Sequence, residues 1–132
     1  MNIPPNHEEA IIRAFIQKGR HERCLYLLSN QKRRKEFTGK LSHFKWLDER
    51  FAQPISSGTA HTAAEIATLL RRKGAGERVR VISQRGEIDG QELGLDAALE
   101  TIWGTDWGTF LSCIPGKLAY FNEEEGSFLL ER

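Results

Sequence analysis

The sequence predicts an α+β fold, with a helical N-terminal half packed on a small three- to four-stranded mixed or antiparallel sheet from the C-terminal half. Three observations predict it. Before residue 74 the apolar residues recur at helical steps, as in Ile11, Ile12, Phe15 and Ile16. From Glu77 to Ser83 the pattern switches to alternation, with Arg78 and Arg80 outward and Val79 and Val81 inward. The last thirty residues are dense in aromatic and branched types and are broken by Pro115-Gly116, which reads as a β-hairpin followed by a short strand at 127–130.

In chain order, Glu8 to Gln17 reads as a helix with acidic residues in its first turn, ended by Gly19. A second helix covers Arg20 to Leu28, with Cys24, Leu25 and Leu28 inward. Ser29 or Asn30 has the chemistry of a cap. A third helix is expected from Gln31 to Phe51, because Phe37, Leu41, Phe44, Leu47 and Phe51 recur at steps of three and four. Gly39 is a candidate break within it. Gln53 to His61 reads as a loop, and Thr62-Ala63-Ala64-Glu65 as a capping box opening a helix that Gly74 ends. Leu95, Leu99 and Ile102 mark one more short helix. Ile114-Pro115-Gly116-Lys117 suits a type II turn, with glycine at the position that needs positive φ. The strand–helix–strand order from 78 to 114 is also compatible with a right-handed crossover, and helices are expected mainly on one face of the sheet.

With 132 residues, one globular domain spanning 1–132 is expected, large enough to bury a core without disulfides or metal. The two cysteines, Cys24 and Cys113, lie far apart in apolar surroundings and read as buried thiols. The N-terminus has no basic start or apolar core, and no apolar run reaches the roughly twenty residues of a membrane span. A cytoplasmic protein with no membrane contact is the expectation. Charge is uneven: residues 1–50 hold eleven Lys/Arg against six Asp/Glu, an excess of five, and residues 51–132 hold eight against twelve. The basic excess is densest at Lys32-Arg33-Arg34-Lys35, which suits an anionic partner.

No catalytic constellation emerges. His7, His21, His43 and His61 are scattered without ligand spacing, so no metal site and no cofactor are expected. Gly74-Ala75-Gly76 precedes a strand, the reverse of a phosphate loop's order. Glu87, Asp89 and Glu92 flank one turn without the spacing of a calcium loop. Cys113 is the one plausible nucleophile, and nothing beside it in sequence supplies the base that a thiolate needs.

What remains is a binding or regulatory domain working through macromolecular contacts, with another protein as the expected partner. The expected binding residues are Arg33, Arg34, Lys35 and Trp46 on the basic helix, and Asp106 and Trp107 in the tight Gly104–Gly108 link. Two alternatives stand beside it. One is a nucleic-acid-binding module using helix 31–51, with Trp46 or His43 stacking on a base. The other is a small enzyme with a pocket near Cys113 and His61. Homodimerisation through an exposed edge strand such as 127–132 is a further alternative.

Overall fold

The computed structural model describes residues 6–55, 62–124 and 126–132. The elements are α1 (His7–Phe15), α2 (His21–Ser29), α3 (Arg34–Thr38), β1 (Ala52–Pro54), α4 (Ala63–Arg72), β2 (Arg78–Ser83), β3 (Glu92–Gly94), α5 (Leu95–Ile102), β4 (Thr109–Ile114), β5 (Leu118–Glu123) and β6 (Gly126–Glu131). Single 3₁₀ turns lie at 18–20, 41–43 and 49–51. The fold is α+β, but the sheet has six strands rather than three or four. Their order is β1-β6-β5-β4-β2-β3, and every pairing is antiparallel. The crossover therefore does not form: β2 and β4 run antiparallel, with Ile82 opposite Phe110. No helix among the described residues is long and apolar enough to cross a membrane.

Helices cover both faces of the sheet, correcting the expectation of one face. Ile82, Phe110, Ala119, Phe121 and Leu130 pack against α1, α2, α3 and the segment after it. Val79, Val81, Leu111, Cys113, Tyr120 and Leu129 pack against α4 and α5. Burial on both sides explains why β4 and β5 read as nearly continuous apolar runs, where a half-exposed sheet would alternate. Phe110, Phe121 and Tyr120 are essentially inaccessible, and each such side chain contributes roughly 1.5–3 kcal/mol. Phe44 touches Phe37, Phe110 and Phe121 edge-on, each with centroids 5.8 Å apart, so it fastens the segment after α3 to the sheet.

The largest correction concerns residues 31–51. Instead of one helix, the chain forms a turn at Asn30, the five-residue α3, a 3₁₀ turn, an extended stretch and a second 3₁₀ turn. The apolar residues face the core as expected: Phe37, Leu41, Phe44 and Leu47 are buried. Steps of three and four are met here by turns as well as by helix. The chain extends at Phe44 (φ −72°, ψ 126°), and an antiparallel bridge then pairs Leu47 with Ile16. Gln17 donates its amide to the Trp46 carbonyl, and Asp48 donates to that of Phe15 (both 2.8 Å). These tertiary bonds override local helical preference. The same bridge ends α1 at Phe15, short of the expected Gln17.

β1 and β3 were missed because three residues containing Pro54 or Gly94 carry no strand pattern, and they form by pairing with longer neighbours. β1 also removes β6 from the edge, pairing Gln53 with Leu129. β1 is itself a poor edge for dimerisation. Its outward donors are the amides of residues 52 and 54; that of Ala52 is bonded to Glu49, and Pro54 has none.

Other expectations hold. Thr62 accepts from the Glu65 amide at the start of α4, and Gly74 (φ 109°) closes its end, with Ala75 donating to Leu70 and Gly74 to Arg71. Gly116 has φ 73° in the turn between β4 and β5, where Lys117 donates to Ile114. The expected loop at 53–61 is β1 in its first two residues, and positions 56–61, including His61, lie outside the described residues.

Gly108 begins β4's approach to the 41–43 turn so closely that an added Cβ would overlap the Leu41 backbone. Gly108→Ala should cost about 1–3 kcal/mol in urea unfolding. Gly19→Ala, where nothing lies within 4 Å, should be neutral or slightly stabilising. Equal effects at the two positions would contradict this packing.

Candidate functional site

Of the six residues singled out from the sequence, Arg34 is the most firmly placed, and its contacts are internal. Its Nη1 and Nη2 donate to the Glu8 carboxylate at 2.7 and 2.8 Å. Nε and Nη2 donate to Asp89 at 2.6 and 3.0 Å. Asp89 also accepts the Ser83 amide, and Arg80 reaches Glu8 at 3.3 Å. These groups are mostly shielded, with side-chain exposures of 18% for Arg34, 13% for Glu8 and 14% for Asp89. The two carboxylates hold the Arg34 guanidinium still more firmly protonated than usual. The fifth N–H, on Nη1, faces the Leu28 carbonyl at 3.5 Å, so the fork has no donor left for a partner. Arg34 therefore ties α1, α3 and the turn after β2 together.

Arg33 and Lys35 flank it on the exposed side of α3. Arg33 pairs with Glu36 at 3.1 Å, a solvent-exposed contact of little energetic weight. Asp106 is exposed, and Trp107 is half-buried beneath the Arg85 guanidinium, 4.4 Å from the ring centre. Asn122 pins that link by donating to the carbonyls of Thr105 and Trp107. Asp106–Trp107 and Arg33–Lys35 thus belong to separate features, and among the described residues the Trp46 ring meets Phe44, Arg20 and Lys40 rather than either of them.

Trp46 is the centre of the better candidate. Its ring is half-buried against the core, with the Arg20 guanidinium 4.8 Å and the Lys40 ammonium 5.5 Å from its centre. Lys18 and Lys45 are exposed nearby in the chain: Lys18 follows Gln17, whose side chain donates to the Lys45 carbonyl. Among the described residues, Lys18, Arg20, Lys40 and Lys45 have no carboxylate partner, nor do Lys32, Lys35, Arg72, Lys117 and Arg132 elsewhere in the chain, whereas Arg13, Arg23, Arg33, Arg34, Arg50, Arg71, Lys73, Arg78, Arg80 and Arg85 all do. Of the nearby acids, Glu124 pairs with His43 at 2.9 Å, Asp48 pairs with Arg50 at 2.6 Å, and Glu49 lines the neighbouring groove.

Two hollows lie side by side here, and the smaller adjoins the ring. One of about 200 Å³ is lined by Lys40, His43, Phe44, Lys45 and Trp46. The next, about 330 Å³, is an apolar groove formed by Phe44, Leu47, Ala52, Pro54 and Phe128, with Lys45 and Glu49 at its rims. Phe44 and Lys45 line both, so cationic and apolar surfaces are continuous. Lys40, Lys45 and Trp46 were visible as residue types in the sequence. Arg20, Pro54 and Phe128 were not linked to them, because the Ile16–Leu47 bridge and the β1–β6 pairing that gather them are tertiary.

The nucleophile alternatives find little geometry. Cys113 is buried on the α4–α5 face, and burial pushes its thiol up to about 12. Its Sγ lies 3.9 Å from the Leu111 carbonyl oxygen. Cys24 is likewise pushed up to about 11 by burial. A serine–histidine pair that spacing did not reveal does exist: His7 Nδ1 lies 2.7 Å from Ser112 Oγ. Ser112 is fully buried beneath α1, so no substrate reaches its hydroxyl, and the bond serves to satisfy it. No group of three metal-ligating side chains occurs among the described residues. No family, curated protein or solved structure matches this chain.

Burial, with Arg80 nearby, holds His7 below its usual pKa of 6.5. Between that lowered value and 6.5 the unfolded chain binds a proton that the folded one refuses, so this group's contribution to stability falls as pH falls. Urea unfolding of wild type and His7→Asn at pH about 7 and about 5 should show the smaller loss in the variant. An identical loss would contradict the placement of His7. Cys113 should react with a thiol reagent at a small fraction of its denatured rate, and rapid native labelling would restore the enzyme alternative.

Proposed function

We propose that this chain is a cytoplasmic binding domain that recognises an anionic surface of another protein through the Trp46 face. The observation that carries this reading is the concentration of cations without carboxylate partners around a half-buried tryptophan, in a molecule that pairs most of its other cations internally. Exposed Lys and Arg beside an aromatic ring are the groups that steer and anchor an acidic partner. The binding residues are Arg20, Lys40, Lys45 and Trp46; of the sequence-derived set, Trp46 is retained at the centre.

Two points favour a protein over nucleic acid. Arg20 and Lys40 already lie over the Trp46 ring, so a base stacks there only after displacing one of them. The basic helix that would have tracked a phosphate backbone is also broken into short turns.

The test is affinity capture from native lysate with wild type and Lys40→Glu/Lys45→Glu, each with and without nuclease. Both substitutions lie at exposed positions and should leave the melting temperature within a degree or two. Wild type should retain a protein through nuclease digestion, and the variant should lose it. Capture that is unchanged in the variant, or that consists of nucleic acid, would overturn the reading.

A further inference from the structure

We infer that the groove beside Trp46 receives a short acidic segment of a partner protein, anchored by one or two large apolar side chains. The inference rests on the protein-binding reading above and specifies what the partner presents. The groove's five apolar walls come from three separate parts of the fold: Phe44 and Leu47 from the extended stretch after α3, Ala52 and Pro54 from β1, and Phe128 from β6. At about 330 Å³ it lies at the small end of the roughly 300–1,000 Å³ that ligand pockets span. Such a space suits individual side chains better than a bulky cofactor.

Charge complementarity names the flanking residues of the occupant. Lys45 stands between the groove and the hollow against Trp46, and Lys40 and Arg20 lie beyond it over the ring. Carboxylates next to the apolar anchor, on the Trp46 side, would meet these cations. Glu49 also lines the groove, which disfavours an acid seated against it. The segment's acids therefore lie toward Lys45, Lys40 and Arg20.

The backbone of β1 at the groove's edge offers no free amide donor for strand addition. The outward amide of Ala52 is bonded to the Glu49 carbonyl, and Pro54 has no amide to offer. Recognition is therefore by side chains, through apolar burial and charge.

The experiment uses the intact protein and fluorescein-labelled peptides read by anisotropy. The probes are Asp-Glu-Asp-Leu-Phe-Gly, its Asp-Glu-Asp-Ser-Ser-Gly counterpart and Lys-Arg-Lys-Leu-Phe-Gly, with a six-nucleotide oligouridylate alongside. The Leu-Phe acidic peptide should bind at least about tenfold more tightly than the Ser-Ser one, and the basic peptide should not compete. Lys45→Glu should weaken both acidic peptides. Pro54→Asp, at an exposed rim position, should abolish the Leu-Phe preference; Ala52→Glu is the second groove variant, and circular dichroism verifies that each is folded.

Equal affinity for the two acidic peptides, with both weakened by Lys45→Glu, would overturn the groove while leaving the anionic-partner reading intact. A Leu-Phe preference that survives both groove variants would also overturn it. Absence of binding by either acidic peptide would do the same, and the capture experiment then decides the wider reading independently. Tighter binding of the oligouridylate than of any peptide would overturn both in favour of nucleic acid.

Discussion

The Arg34 guanidinium, held between the carboxylates of Glu8 and Asp89, is the contact on which the arrangement of this fold most depends. Those carboxylates belong to α1 and to the turn after β2, and Arg34 belongs to α3, so one planar group fixes three elements. Shielding of all three side chains strengthens the interaction and makes it unforgiving. Removing either carboxylate or the cation leaves opposite charge partly buried without its partner. With α3 held there, the chain that follows must cross the sheet, where Phe44 enters the aromatic core and Leu47 bridges back to Ile16. The Trp46 face is built on that crossing segment.

This constraint separates two kinds of basic residue that lie close together in sequence. Arg34 neutralises internal carboxylates and is structural. Lys40 and Lys45, a few residues on, are solvated and have no carboxylate partner among the described residues. Charge density along the chain is therefore a poor guide to where a partner binds. In the four-residue basic run 32–35, Arg34 forms the best-buried ion pair of the described residues and Arg33 is paired with Glu36, so only its two lysines are as available as the more dilute cations around Trp46.

The sequence made the sheet-forming C-terminal hairpin, the capped α4 and the type II turn legible, because each carries local chemistry: a density of aromatic and branched residues, Thr62 at a cap, Pro115-Gly116 in a turn. It also made the burial of Phe37, Leu41, Phe44 and Leu47 legible while concealing their conformation, since turns and an extended bridge satisfy the same spacing as a helix. β1 and β3 were illegible because three-residue strands exist only by virtue of their neighbours. The second helical layer was signalled by the near-continuous apolar runs of β4 and β5, which a sheet open on one face would not need. Of the candidate site, Trp46 and its nearby lysines were visible. Arg20 and the groove wall from β1 and β6 were not, because long-range pairing brings them together. Arg34 was visible as a cation, but nothing local told it apart from Arg33.

The most direct test of this account is a double-mutant cycle on Arg34 and Asp89, using urea unfolding of the wild type, the two single alanine variants and the double variant. The account predicts that each single substitution is destabilising and that the pair is coupled by about 1.5 kcal/mol or more. Additive effects, with single costs no larger than those of an exposed ion pair, would contradict it and return Arg34 to the set of residues free to meet a partner.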